Sequence, residues 1–361
     1  MMPSRHPVIL LQELSYGMGK ELWRLVSWFF GVNVPIRFTQ VVECLYVCMQ
    51  FLKRRHVRPY VFRNCSTFGG PDAGDENAQP AWKWRLVISY NGTQYSGWQI
   101  QKSHATVQQK VEDALSKCTR VSRDELKLVG AGRTDAGVHA LGQVAHFTTP
   151  TCFDDLEPLH ASLNGILPPD IRIREVSSVQ PDFHARYSAC RKTYQYKAYV
   201  SPVMDPFQHN HAYHIKNHVN VAAMQEAASY FLGVQNFSAF ANHSADPSSR
   251  DLLRELLNFT VSSIGPQLLF EVEGRSFMYK QVRNMVGLLI EVGKELVPPS
   301  IVKTILRTED RRELAKISPV APAHGLYLMS VAYDDRLLEP LPSTPKASFG
   351  RWLRHPVRTS S

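Results

Sequence analysis

Residues Gly130-Ala131-Gly132-Arg133-Thr134-Asp135-Ala136-Gly137-Val138-His139-Ala140 restrict this chain more than any other stretch. Three glycines break the backbone, a cation and an anion sit two positions apart, and apolar residues flank the run at Leu126 and Leu128 and again from Val144 to Phe147. Charges set between apolar elements need partners, because taking an ion out of water is costly unless it is paired. Glycines 130, 132 and 137 give the backbone freedom for a tight path. Two readings follow. One is a surface turn closed by an Arg133–Asp135 contact, of the weak exposed kind. The other is a reactive carboxylate held on a glycine-shaped loop.

Several other loop chemistries fail on their own residues. Gly130-x-Gly132 opens like a dinucleotide fingerprint, but Asp135 stands where the third glycine belongs and would face a pyrophosphate with the wrong sign. A phosphate-binding P-loop would need a lysine that is missing. His139 and His146 are not followed by the Pro-Cys-x-x-Cys of a zinc base deaminase, and no nucleophile elbow exists for a serine triad.

The chain has 361 residues, 44% of them apolar and 20% charged, with a formal net charge of +9. That is enough for one large or two smaller folded units. The cationic excess is moderate and spread along the chain, which permits binding to nucleic-acid phosphates without requiring it. Cys44, Cys48, Cys65, Cys118, Cys152 and Cys190 show no zinc-ribbon spacing and fit a reducing compartment. Cys44 and Cys48 can share a helical face, but two ligands do not make a structural zinc site.

Residues 1–84 read as an N-terminal extension. An apolar run over 22–34 is too short to span a bilayer, so no membrane insertion is expected. Lys53, Arg54, Arg55 and Arg58 follow, then a linker from Gly69 to Asn77. The segment suits a targeting extension, which would make the protein organellar (plastid or mitochondrial) rather than cytoplasmic. Glu13, Glu21 and Glu43 argue against a transit peptide. The body starts near Trp84 with alternating Leu86, Ile88 and Tyr90, a strand pattern. Thr106 and Gln109 predict a capping box ahead of a helix with Val107, Val111, Ala114 and Leu115 on one face. Later strands are expected at 144–147, 194–200, 256–261 and 268–273. Helices are expected over 221–232, from Phe277 after Ser276 to Gly293, and after Ser300. Hairpins without a regular crossover cadence predict an α+β fold with largely antiparallel sheet. The body divides into a first half at 85–190 carrying the Asp loop and a second at 191–335. The basic tail, 336–361, is expected to be disordered from Pro340 on.

Five ordered stretches carry a resemblance. They are Tyr90–Gln99, Gly130–Ala140, Phe183-His184-Ala185-Arg186-Tyr187-Ser188-Ala189, Phe277–Gly287 and Ala321-Pro322-Ala323-His324-Gly325-Leu326. Over about residues 84–335 the chain resembles tRNA pseudouridine synthases of the bacterial TruA type. The resemblance implies two similar α/β halves around a central basic cleft, a homodimer, tRNA as partner, and no cofactor or metal. It implies conversion of uridine to pseudouridine in the anticodon stem-loop, at positions 38 to 40. Asp135 matches the essential aspartate, and Arg133 the arginine that intrudes into the RNA. Tyr194 matches the tyrosine that stacks on the target base, and Arg283 the arginine that pairs with the aspartate. His139, His184 and Arg186 are expected to line the RNA path.

Each residue also has a plainer reading. Tyr194 suits a sheet core, Arg283 the solvent side of an apolar helix, and His139 a turn-stabilising hydrogen bond. His184 and Arg186 suit a sheet edge. The chemistry needs Asp135 ionised, and a nearby Arg283 is expected to lower its pKa. Two stretches depart from relatives, Val234–Phe240 and Arg250–Leu257, and neither touches Asp135. The competing function is an RNA-binding or RNA-chaperone protein using the same cleft without turnover.

Overall fold

A computed structural model describes residues 82–242, 252–345 and 347–350. The targeting extension and linker expected before Trp82 lie outside the described residues. The first strand begins at Trp82, two positions before the expected start of the body.

The ten strands described are β1 (Trp82–Tyr90), β2 (Val129–Gly130), β3 (His139–Thr149), β4 (Ile171–Ser178), β5 (Arg191–Val200), β6 (Tyr213–Ile215), β7 (Gly233–Asn236), β8 (Leu253–Ile264), β9 (Gln267–Gly274) and β10 (Leu326–Ala332). The eight helices described are α1 (Val107–Thr119), α2 (Arg123–Leu126), α3 (Glu157–Ile166), α4 (Val221–Ser229), α5 (Gln281–Gly293), α6 (Ile301–Thr308), α7 (Arg311–Ile317) and α8 (Asp335–Leu338). One continuous sheet runs β4-β1-β3-β10-β5-β9-β8-β7, with β2 added to β3 and β6 to β5. Pairing is antiparallel except at β3–β10 and β5–β6. The fold is therefore α+β with a mixed, largely antiparallel sheet, as the pattern predicts.

Strand β10 comes from the far end of the body yet sits between β3 and β5, joining the strands of residues 82–178 to those of 191–274. A parallel neighbour cannot be supplied by a hairpin, so the centre of the sheet closes only when the last strand arrives. Alternation on β1 sets the two faces. Trp84, Leu86, Ile88 and Tyr90 enter the main core with the apolar sides of α1, α3, α4, α5, α6 and α7. Val87 and its cross-strand partner Val144 face a small second cluster containing Phe183 and Tyr333. Burying each large apolar side chain contributes roughly 1.5–3 kcal/mol. Trp84 also satisfies its indole N–H on Thr149 Oγ1 at 2.7 Å.

Three local expectations change. Thr106 does cap α1, accepting from Gln109 N at 3.4 Å, but the reciprocal capping box forms at α2 between Ser122 and Glu125. Helix α5 starts at Gln281 rather than Phe277, because Lys280 adopts a left-handed conformation with φ 61° and ends the preceding loop. Phe277 and Met278 instead pack against the core from that loop. The tail is ordered from Pro340 to Gly350 wherever it is described. Ser348 pairs with Val176 and accepts or donates at His160 Nδ1 (2.8 Å), and Thr344 bonds Ser178. Residues 351–361 lie outside the described residues. No described helix is long and apolar enough to cross a membrane.

Candidate active site

The loop from β2 to β3 is fixed almost residue by residue. Ala131 N donates to Val144 O (2.7 Å), and Gln143 Nε2 donates to Gly132 O (2.9 Å). Lys192 Nζ donates to Ala131 O (2.8 Å). Thr134 exchanges a hydrogen bond with the Tyr90 hydroxyl (2.7 Å), while its carbonyl accepts from Trp98 N (3.1 Å). A turn then closes from Asp135 O to Val138 N (3.1 Å), with Gly137 at φ 76°, a conformation that favours glycine. Gly97 permits the close approach of the first motif, since a Cβ there would lie 2.4 Å from Thr134 O. Gly130 does the same for the Trp98 ring, 2.5 Å from its ideal Cβ. Neither Arg133 nor Ala136 is buried, so the two exposed residues of the loop flank Asp135.

Asp135 Oδ2 meets Arg283 Nη1 at 3.2 Å across 148 positions of sequence, and the side chains are 19% and 13% exposed. The ion pair is thus with the helix, not with Arg133. Arg283, in the first turn of α5, is itself aimed. Its Nε donates to Ala321 O at 2.8 Å, and Ala321 N donates back to Arg283 O at 3.2 Å. The segment carrying Ala321 reaches α5 because Gly287 has no side chain; a Cβ would sit 2.3 Å from Pro319 O. Tyr196, whose hydroxyl donates to Pro322 O at 2.9 Å, supports the same segment from β5.

The sequence led us to expect a lowered Asp135 pKa. Burial instead raises it, and the Arg283 guanidinium and Lys280 ammonium offset only part of that rise. Desolvation outweighs pairing here because one ion pair at 3.2 Å does not replace the water a carboxylate loses. The result is a fixed carboxylate that titrates closer to neutrality, a state suited to a base or nucleophile.

Tyr194 is buried on β5, hydrogen-bonded through its backbone ladder between β10 and β9, with its ring edge-on to Phe277 at 5.1 Å. Burial raises its hydroxyl pKa, and the charge of Asp135 adds to the rise, so the two side chains are neighbours. Asp135, Tyr194 and Arg283 therefore come together from three separate elements. Arg133 and Arg186 are both exposed. Arg186 is near enough to Lys192 for their like charges to interact.

His139 takes the plainer of its two readings. His139 is 2% exposed; its Nδ1 accepts from Gly92 N at 3.0 Å, which leaves Nε2 to donate to the carbonyls of Asn210 (2.9 Å) and His324 (3.1 Å). Burial drops its pKa to about 4, so it stays neutral and cross-links the loop's far end. It does not reach the surface to meet RNA. His184 Nδ1 accepts from the backbone N–H groups of Arg186 and Tyr187, both at 3.1 Å, and shapes the turn that carries them.

Two cations were missed. Lys192 lies two positions before Tyr194, and strand alternation alone would have put both on one face. Lys280 lies three before Arg283, a spacing that places it over the same helix end. Tyr90, the first residue of one of the five resemblance stretches, bonds the loop at Thr134, and Gln143, which bonds it at Gly132, carried no such signal.

The profile of the tRNA pseudouridine synthase family matches residues 86–188 and 227–334. The chain is 42% identical over 253 residues to tRNA pseudouridine synthase A 1 of Protochlamydia amoebophila, covering 70% of this chain and 96% of that one. It is 38% identical over 254 residues to tRNA pseudouridine synthase A of Limosilactobacillus reuteri, covering 70% and 97%. A Chlamydia felis protein of the same name is 39% identical over 250 residues, covering 69% and 90%. With Asp135 and Arg283 joined inside the matched region, the conclusion is direct: the chain belongs to the tRNA pseudouridine synthase family.

Proposed function

We propose that the protein isomerises uridine to pseudouridine in the tRNA anticodon stem-loop, within positions 38 to 40, with Asp135 as the catalytic carboxylate. The observation that carries the reading is the Asp135–Arg283 pair on a loop whose backbone is hydrogen-bonded on both sides. In the reaction the N1–C1′ bond of uridine breaks and a C5–C1′ bond forms; the C5 hydrogen leaves as a proton and N1 gains one. Asp135 begins the reaction ionised, either bonding C1′ as uracil leaves or removing the sugar proton that gives a glycal. Both routes need a base turned out of its stack. Arg283 keeps the carboxylate charged and directed. Tyr194 forms a wall for the uracil, and Arg133 and Arg186 engage the RNA. The chain works as a homodimer, an expectation that sedimentation of the purified protein checks.

The test is pseudouridine mapping of tRNA from cells lacking the protein. Anticodon stem-loop pseudouridines are absent there, return with the parent chain, and stay absent with Asp135→Asn. Return with D135N removes the catalytic assignment. A change in tRNA abundance or folding without any change in pseudouridine favours the RNA-chaperone reading.

A further inference from the structure

Tyr187 is a large aromatic residue that is 78% exposed on a rigid turn. The turn is pinned four ways: His184 Nδ1 accepts from Arg186 N and Tyr187 N, Ser188 N donates to His184 O (2.9 Å), and His184 N donates to Ser188 Oγ (3.0 Å). One face of the ring stacks on the His184 imidazole at 4.3 Å with 27° between planes. The Arg186 guanidinium lies 5.7 Å from the ring centroid. Arg186 in turn neighbours Lys192, whose ammonium is anchored on Ala131 O at the base of the Asp135 loop. Neither cation has a carboxylate partner among the described residues.

We propose that Tyr187, Arg186 and Lys192 form a nucleotide subsite beside the target uridine, with the ring stacking an unpaired base and the two cations holding its phosphate. The inference rests on the tRNA reading above and names a contact within it. An apolar ring left in water has no folding benefit, whereas base–aromatic stacking gives affinity that is tolerant of sequence. A base stacked on one ring face and a phosphate held by two cations is the composition expected of single-stranded RNA recognition. The exposed ring carries a cation beside it, and neither that cation nor Lys192 is neutralised by a carboxylate among the described residues, which favours a polyanionic RNA over a second protein chain as occupant.

Equilibrium binding of unmodified tRNA by the full-length protein, measured across a salt series, tests the subsite. Tyr187→Leu is expected to weaken binding on the order of tenfold with an unchanged salt slope, and Tyr187→Phe to restore it. Arg186→Gln and Lys192→Gln are each expected to reduce the slope by about one, with Lys192→Arg restoring the slope. Parent-like binding by Y187L overturns the platform. So does an altered sedimentation of Y187L at unchanged RNA affinity, which makes the ring a protein contact. A parent protein that does not bind tRNA overturns this inference and the functional reading together; parent binding with no Tyr187 effect overturns the subsite alone.

Discussion

Gly287→Ala probes whether Arg283 must be held by its neighbours to serve Asp135. The added Cβ would lie 2.3 Å from Pro319 O and 2.8 Å from Ser318 Oγ. Ordinary contact begins near 3.4 Å, so the 318–321 segment must retreat by about 1 Å. That retreat stretches the 2.8 Å bond from Arg283 Nε to Ala321 O beyond hydrogen-bonding range. Overpacking of this kind costs roughly 1–3 kcal/mol, and the helix propensity of alanine over glycine returns up to about 1 kcal/mol. A net loss of about 0–3 kcal/mol corresponds to a fall in Tm of up to roughly 12 °C for a domain of this size. The larger effect is on rate, since a misplacement of about 1 Å in a positioning group can cost on the order of a hundredfold. Release of the C5 hydrogen from labelled tRNA, in single turnovers well below Tm, separates the two effects. A G287A protein with the parent rate and the parent Tm would refute the claim that Gly287 sets the Arg283 geometry.

Other outcomes follow from the same electrostatics. Arg283→Gln removes a pull that lowers the Asp135 pKa, so the acid limb of the kcat/KM profile should move to higher pH as well as lower in height; an unmoved midpoint contradicts the pairing. Asp135 has a folded pKa above its unfolded value, so the native state holds the extra proton and stability falls as pH rises through that window. D135N should therefore unfold at higher urea than the parent at pH 7, with the difference gone below the ordinary carboxyl range; equal midpoints at pH 7 count against a desolvated carboxylate. His139 and His146 are buried with pKa values near 4 and 3. The unfolded chain binds their protons first, so each should cost about 1 kcal/mol of stability by pH 5.5, seen as a falling urea midpoint below pH 6.5. A flat midpoint from pH 7.5 to 5.5 would show that these rings accept protons without unfolding.

What the sequence reveals here depends on range. Asp135 and Arg283 sit in motifs whose local residues are distinctive and meet in the structure, whereas Tyr194, outside those motifs, was placed only by the resemblance and feels the Asp135 charge. The alternation on β1 and the apolar face of α1 are short-range patterns and were readable. The place of β10 at the centre of the sheet was not, because parallel pairing across the whole body leaves no local mark. The start of α5 was misplaced because Lys280 adopts a left-handed conformation that neither its own type nor its neighbours announce. The Ser122–Glu125 box was legible and overlooked, while Thr106–Gln109 kept only half of the expected pattern. The direction of the Asp135 shift required a burial that charge counting along a sequence cannot supply. His139 belongs to the most distinctive motif in the chain and still proves to be a neutral cross-link. Membership of a motif therefore identified the loop but not the task of each residue in it.

The most direct measurement is C5-hydrogen release from tRNA by purified D135N, run beside its tRNA affinity and its thermal unfolding. The account predicts no detectable release, near-parent binding and a Tm at or above that of the parent. Release at the parent rate from a folded, RNA-binding D135N would contradict the assignment of Asp135 as the group that starts the reaction.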